Sequence, residues 1–70
     1  MTREINLWLD ETSEAGAATW VVDRCDGEAS ETLTAHPERE TCLAAALAFG
    51  RQEHLPVYEV DAVGAKTRID

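Results

Sequence analysis

The chain has 70 residues, 44% of them hydrophobic, and its 14 Asp and Glu against 6 Lys and Arg give a net charge of −8. This length predicts a single domain, 1–70, near the smallest size at which one hydrophobic core is stable without cross-links or binding partners. The sequence has no apolar run long enough to span a bilayer and no signal-peptide pattern, so we expect a cytoplasmic protein. Cys25 and Cys42 are too few for a disulfide framework, and we expect free thiols.

The first predicted strand is Glu4–Asp10, where Ile5, Leu7 and Leu9 alternate with more polar neighbours. This alternation places Trp8 on the face away from the core. The following segment, 11–17, has no periodicity and predicts a polar loop. Trp8 then either packs beneath that loop or forms part of an exposed surface.

The second predicted strand, Ala18–Cys25, is rich in β-formers and precedes Asp26-Gly27, a pair typical of tight hairpin turns. A two-residue turn there pairs Cys25 with Glu28 and Trp20 with Leu33 in a third strand. Trp20, Val22 and Leu33 then share the core face, and Val21, Asp23 and Glu28 the opposite one. Arg24 and Glu31 fall on the core face, so they lie at its margin or a bulge shifts the register.

A helix is predicted to begin within Thr34–Glu40 and to run to about His54. Pro37 suits its first turn, and Glu38 and Glu40 complement the positive end of the helix dipole. An apolar stripe follows at spacings of three and four, with Gly50 allowing a close approach to the sheet. The stripe comprises Cys42, Leu43, Ala46, Leu47, Phe49 and Gly50.

The last elements are a strand over Val57–Val63 and a short strand over Lys66–Ile69, joined by Gly64-Ala65. In the first of these we expect Tyr58, Val60 and Ala62 to face inward and Glu59 and Asp61 outward. The order β-β-β-α-β, with a short last β, predicts an α+β two-layer sandwich. Its antiparallel sheet of four to five strands carries a single helix on one face and leaves the other face open.

The acids are spread along the chain instead of forming a tail, which is typical of a charged coat on a folded domain. An excess of negative charge repels phosphates and attracts basic surfaces. It therefore disfavours direct nucleic-acid binding and favours a basic, nucleic-acid-binding protein as partner. The alternative is that the acidity only keeps the domain soluble.

The open sheet face is the predicted partner-binding surface, because interfaces tend to have an aromatic or apolar centre with a polar rim. Val57 is a further candidate for this face. The predicted contact residues are Trp8, Asp10, Val21, Asp23, Asp26, Glu28, Glu31, Glu59 and Asp61.

No catalytic residues, metal site or cofactor are predicted. Catalysis needs a nucleophile with a base in reach, or two carboxylates in contrasting environments, and no such set stands out. His36, His54, Cys25 and Cys42 are too widely spaced for a zinc module. We expect His36 to cap the helix start and His54 to lie at its negative end.

In size, acidity, lack of catalytic groups and simple α+β layout, the whole chain resembles the small phage-encoded anti-CRISPR proteins of the DNA-mimic type. This resemblance implies an inhibitor, located in the host bacterial cytoplasm, that binds a type I CRISPR-Cas surveillance complex where DNA enters or the PAM is read. Seven acids would stand in for phosphates: Asp10, Asp23, Asp26, Glu28, Glu31, Glu59 and Asp61.

A second resemblance rests on the strand meander and the segment Leu33–Leu43, which is similar to the core of HicB-type antitoxins. In that family a strand leads through a capped turn into a helix with an acidic start. This resemblance implies neutralisation of a small basic ribonuclease. A third reading is a self-associating domain that uses an exposed strand edge, so we expect a monomer or a weak homodimer.

Overall fold

The computed structural model of the chain describes residues 3–11 and 18–70. It contains five strands and one helix in the order β-β-β-α-β-β, an α+β two-layer arrangement that confirms the predicted fold class. The elements are β1 (Arg3–Asp10), β2 (Thr19–Asp26), β3 (Ala29–His36), α1 (Arg39–Glu53), β4 (Val57–Val60) and β5 (Lys66–Arg68). The predicted loop over 12–17 lies outside the described residues.

The sheet has the strand order β3-β2-β1-β4-β5 and is mixed, not wholly antiparallel. The β1–β4 pair is parallel, and the other pairs are antiparallel. The parallel pair arises because α1 returns the chain to the end of the sheet where β1 begins, so that β4 starts beside Ile5 and runs in the same direction as β1. The ends of β1 and β4 therefore meet at one edge of the molecule.

The core lies between α1 and the sheet face beneath it. Ile5, Leu7, Val22 and Val57 are fully buried there and pack with Cys42 and Ala46 of the helix. Each large aliphatic side chain buried in this way contributes about 1.5–3 kcal/mol. The predicted alternation of β1 and the predicted apolar stripe of α1 are both confirmed by these contacts.

Helix α1 approaches β4 closely at Gly50, as predicted. A Cβ atom built on this residue would lie 2.3 Å from Val57 Cγ2 and 3.0 Å from the Leu55 carbonyl oxygen. At the start of the helix, His36 Nδ1 accepts a hydrogen bond from the Glu38 backbone N–H at 3.0 Å. At its end, His54 adopts a left-handed conformation with φ 57°.

The helix begins at Arg39, within the predicted segment Thr34–Glu40, but Pro37 does not lie in its first turn. Thr34, Ala35 and His36 belong to β3, Pro37 precedes the helix, and Glu38 is the N-cap residue. Because the residue before a proline is biased towards extended conformations, Pro37 keeps the chain in the strand up to His36.

The predicted hairpin register was also wrong. The turn lies at Gly27 and Glu28, with Gly27 at φ 63°, and Cys25 pairs with Ser30. The register shifts between Val22 and Asp23 of β2, so Leu33 of β3 has no cross-strand partner and forms a bulge. The Leu33 side chain packs against the core.

The predicted orientation of the fourth strand was wrong as well. Val57 and Glu59 face the helix, and Tyr58 and Val60 face the opposite side, because β4 is paired with Ile5, Asn6, Leu7 and Trp8 in that order. The strand ends at Val60 and not at Val63, which is 88% exposed. It ends there because Asp61 Oδ1 accepts hydrogen bonds from the backbone N–H groups of Val63 and Ala65.

Candidate functional site

The sheet face opposite the helix carries a hydrogen-bonded Trp–Asp pair. Trp8 and Val21 are cross-strand partners, and the Trp8 indole Nε1 donates to Asp23 Oδ2 at 2.8 Å. Val21 is only 7% exposed although it lies outside the main core cluster. The carboxylate of Asp23 therefore fixes the orientation of the Trp8 ring on this face.

A buried polar group lies beside that pair. Asn6 is 7% exposed, and its Nδ2 donates to Cys25 Sγ at 3.1 Å. Within residues 3–11 and 18–70, the buried atoms Asn6 Oδ1 and Asp23 Oδ1 have no hydrogen-bond partner. A buried acceptor without a donor costs about 1–3 kcal/mol, so this face keeps polar atoms that the fold does not need.

The ends of β1 and β4 form a recess of about 740 Å³ that we call the acidic recess. Trp8 and Val60 line it on the open face of the sheet, and Trp20 and Glu59 line it on the helix face. Its lining residues are Asn6, Trp8, Leu9, Asp10, Glu11, Trp20, Asp23, Glu59, Val60, Asp61, Ala62 and Lys66. The set contains five carboxylates and one ammonium group, so its local charge has the sign of the whole chain.

The cations near the acidic recess are held by the chain's own carboxylates. Lys66 Nζ donates to Glu4 Oε2 at 2.8 Å and lies 6.0 Å from the centre of the Tyr58 ring. The hydrogen bond to Glu4 raises the pKa of the Lys66 ammonium. Arg39 bonds Glu59, and its guanidinium carbon lies 5.6 Å from the centre of the Trp20 ring. The helix side of the recess thus already holds one guanidinium between a carboxylate and an aromatic ring.

The structure brings some predicted contact residues together and separates others. Trp8, Asp10, Asp23, Glu59 and Asp61 all line the acidic recess, and Val21 lies next to Trp8.

Asp26 and Glu28 lie at the opposite end of the sheet, because Asp26 pairs with Arg3 at the start of β1. Val57 belongs to the core and not to the open face.

Glu31 does not lie on the predicted surface. Arg24 bonds both Glu31, at 2.6 Å, and Glu53 of the helix, at 2.8 Å, on the helix face of the sheet. The hydrogen bond with Glu53, and after it the one with Glu31, raises the pKa of Arg24. Glu31 and Glu59 are each neutralised by a guanidinium, so neither is a suitable phosphate substitute.

Sequence reasoning missed Asn6, Glu11, Trp20 and Lys66 as recess residues. Asn6 was visible as a polar residue between two core positions of β1. Nothing in the sequence marked Lys66, which reaches the recess only because β5 pairs with β4.

Within the described residues, no three His, Cys, Asp or Glu side chains are grouped so that they could hold a metal ion. Both cysteines are free thiols, and Cys42 is fully buried. The single helix of the described part is not long and apolar enough to cross a membrane.

Comparisons with protein-family models, curated proteins and solved structures found no match to this chain.

Proposed function

We propose that this chain is a non-enzymatic acidic inhibitor that covers the basic surface of a nucleic-acid-binding protein. The observation that carries the proposal is the acidic recess, whose lining combines Trp8 and Trp20 with five carboxylates, of which Glu59 is paired with Arg39. Aromatic rings and carboxylates together suit the guanidinium and ammonium groups of a basic partner. The resemblance to DNA-mimic anti-CRISPR proteins makes a type I CRISPR surveillance complex the first partner to test.

The overall charge density supports mimicry of one nucleic-acid strand. Without Glu14, which lies outside the described residues, the net charge is −7 (−8 plus 1), and over the longest dimension of 35 Å this is one net charge per about 5 Å (35 divided by 7). A single strand of DNA carries one charge per about 3.4 Å and a duplex one per about 1.7 Å. The match is therefore with one strand, and a partner groove that contacts one strand suits it best.

The acids that remain for a partner are found mainly at the ends of elements. Among the described residues no ion pair involves Glu11, Glu38 or Glu40, and these residues are exposed. Glu38 and Glu40 flank Arg39, which bonds Glu59 of the acidic recess.

Asp26 and Glu28 are also exposed and make no ion pair among the described residues, but they lie at the opposite end of the sheet. The proposed contact is the recess end of the molecule, where β1 ends and α1 starts and where Trp8 and Trp20 lie.

The test is competition for a type I surveillance complex loaded with its guide RNA. Fluorescently labelled target DNA is added with increasing amounts of this protein, and bound DNA is measured by anisotropy. We expect displacement of the DNA at about 0.1 M salt, and direct binding of the labelled protein to the complex should weaken steeply between roughly 0.1 M and 0.5 M salt, because exposed charges are screened at high ionic strength. Direct binding that does not change with salt would contradict the mimicry.

Two matched charge reversals locate the contact. Glu11→Lys changes the acidic recess, whereas Glu28→Lys makes the same change in net charge at the opposite end of the sheet. Both residues are exposed, so both variants should fold. We expect Glu11→Lys to weaken competition by about tenfold and Glu28→Lys to weaken it much less. Equal effects would mean that only total charge matters.

Asp23 is unsuitable for such a reversal, because it bonds the Trp8 indole and a lysine there would disturb the fold. The same holds for Asp61, which accepts two backbone hydrogen bonds in the β4–β5 turn.

A HicB-like antitoxin is the second candidate, and the junction between β3 and α1 favours it. β3 ends at His36, His36 Nδ1 accepts from the Glu38 N–H, and Glu40 lies in the first helical turn. This matches a strand that leads through a capped turn into a helix with an acidic start. The two candidates separate on partner: inhibition of a small basic ribonuclease, with no effect on the surveillance complex, would select the antitoxin.

A further inference from the structure

A second recess lies on the helix face, at the end of the molecule opposite to the acidic recess. We call it the lateral groove; its volume is about 880 Å³. Its apolar surface comes from Leu47 of the helix, Leu55 and Pro56 of the α1–β4 connection, and Ile69 after β5. The groove exists because α1 packs against β1, β2, β3 and β4 but not against β5, so that the last strand extends beyond the helix.

The charged groups around the lateral groove are mostly basic, in contrast to the chain as a whole. The cationic side chains Arg51 and Arg68 line it with one acid, Asp70, and His54 contributes an imidazole ring. Arg68 Nε is bonded to Asp70 Oδ1 at 2.7 Å, so these two charges offset each other. Arg51 is exposed and makes no ion pair within the described residues, unlike Arg24, Arg39 and Lys66. An unpaired guanidinium thus lies beside half-buried leucine side chains.

The outer edge of β5 provides backbone hydrogen-bonding groups next to this groove. The Ile69 N–H bonds the Val57 carbonyl, and the Ala65 carbonyl accepts from the Asp61 N–H, so residues 65 and 69 point towards β4. Because backbone groups alternate along a strand, those of Lys66 and Arg68 point outward. In the described part of the chain no strand pairs with β5 on that side.

We propose that the lateral groove binds an extended peptide segment of a partner protein that carries apolar side chains and at least one carboxylate. The peptide adds to the sheet as a sixth strand beside β5, in the manner of β-strand addition. Its alternate side chains point to the helix face and cover Leu47, Leu55 and Ile69. Its carboxylate pairs with Arg51. A fatty acid would satisfy the apolar surface and Arg51 but would leave the β5 edge unpaired, so a peptide fits the observations better.

The experiment is an NMR titration of the ¹⁵N-labelled protein with two capped hexapeptides, Leu-Thr-Leu-Thr-Asp-Thr and Leu-Thr-Leu-Thr-Lys-Thr, in which the carboxylate or the ammonium group lies on the same face of the strand as the leucines. The acidic peptide should cause saturable shifts at the amides of Leu55 and Ile69. It should also slow hydrogen exchange at the amides of Lys66 and Arg68, which strand addition would cover. The basic peptide should leave the lateral groove unchanged and shift residues of the acidic recess instead. Groove shifts that are equal for both peptides, or absent for the acidic one, would overturn the proposal.

Two variants of equal net charge provide the control. Arg51→Gln removes the groove guanidinium, whereas Gln52→Glu lowers the charge by the same amount at the next exposed position, which does not line the groove. Loss of a charge-assisted hydrogen bond should weaken acidic-peptide binding by about tenfold in Arg51→Gln. Gln52→Glu should weaken it clearly less, and equal weakening would refute the pairing with Arg51.

Oleate separates the peptide from a lipid ligand. If oleate binds the groove and depends on Arg51 while neither peptide changes exchange at Lys66 and Arg68, the groove is a site for lipid carboxylates and the peptide proposal is wrong. If the acidic peptide protects these amides whether or not oleate binds, strand addition is supported. Both arms use the folded wild-type chain and do not depend on the surveillance complex.

Discussion

The substitution Gly50→Ala should destabilise the protein although alanine is the better helix former. The new Cβ would lie 2.3 Å from Val57 Cγ2, about 1.1 Å closer than the 3.4 Å at which ordinary van der Waals contact begins. Val57 is fully buried and β-branched, and the Leu55 carbonyl lies 3.0 Å away, so neither neighbour yields easily. Overpacking of this kind costs up to about 3 kcal/mol, against about 1 kcal/mol gained in helix propensity.

We therefore expect Gly50→Ala to lower the free energy of unfolding by about 2 kcal/mol. The measurement is urea denaturation followed by the fluorescence of Trp8 and Trp20. An exposed helix position supplies the control: Ala44→Gly should cost about 1 kcal/mol and thus reports propensity alone.

A double-mutant cycle with Val57→Ala tests the stated cause. Val57→Ala alone should cost about 2 kcal/mol through its cavity. In that background Gly50→Ala has room for its methyl group, so it should be neutral or stabilising, and the two changes should couple by at least about 2 kcal/mol. If Gly50→Ala stabilises the wild-type protein, or if the two effects are additive, the close contact between α1 and β4 is not what requires glycine.

Three further predictions follow from side-chain contacts. Trp8→Phe removes the indole N–H that donates to Asp23, so it should lower the free energy of unfolding by about 1–3 kcal/mol, measured by thermal unfolding. The double variant with Asp23→Ala should lose less stability than the sum of the two single variants. Arg24→Ala should destabilise the fold more than Arg51→Ala does. Arg24 joins β3 to the helix through two carboxylates, whereas Arg51 bonds no carboxylate in the described residues. Equal decreases in the denaturation midpoint of the two variants would contradict this.

Arg68 lowers the pKa of Asp70, so Arg68→Gln should raise that pKa towards its ordinary value in an NMR titration. A lowered folded-state pKa means that the pair stabilises the wild-type fold above the ordinary carboxyl pKa and that this stabilisation is lost as pH falls through the folded-state pKa.

The sequence predicted the orientation of a strand correctly where only one apolar pattern was possible. In β1, only one alternation places Ile5 and Leu7 on the same face, and both are buried. In β4 the pattern was ambiguous, because Val57 and Val60 have opposite orientations in a strand. We predicted the face with more apolar residues inward, but Val57 is the residue next to Ile5 and Gly50. Glu59 is accepted on the helix face because Arg39 bonds it.

The hairpin shows why local signals do not fix register. Asp-Gly correctly marks a turn, but Gly27 forms the turn with Glu28, and the bulge at Leu33 adds a second shift. One feature of the sequence indicated that the predicted register was wrong, because that register placed both Arg24 and Glu31 on the core face. In the structure they are cross-strand partners that bond each other at the margin of the core. A paired charge on a core face is thus a useful restraint on register.

The acidic recess could not be derived from the sequence, because it depends on the one parallel strand pair. Asp10 is the last residue of β1 and Glu11 follows it, and Glu59 and Asp61 are about 50 residues further along the chain. They meet only because α1 returns the chain so that β4 runs beside β1 in the same direction. An antiparallel β4 would have placed Asp61 near the start of β1, beside Asp26, and would have divided the carboxylates between the two ends. The parallel pair therefore determines where the excess negative charge is concentrated, and it leaves the opposite end of the helix face to Arg51 and the lateral groove.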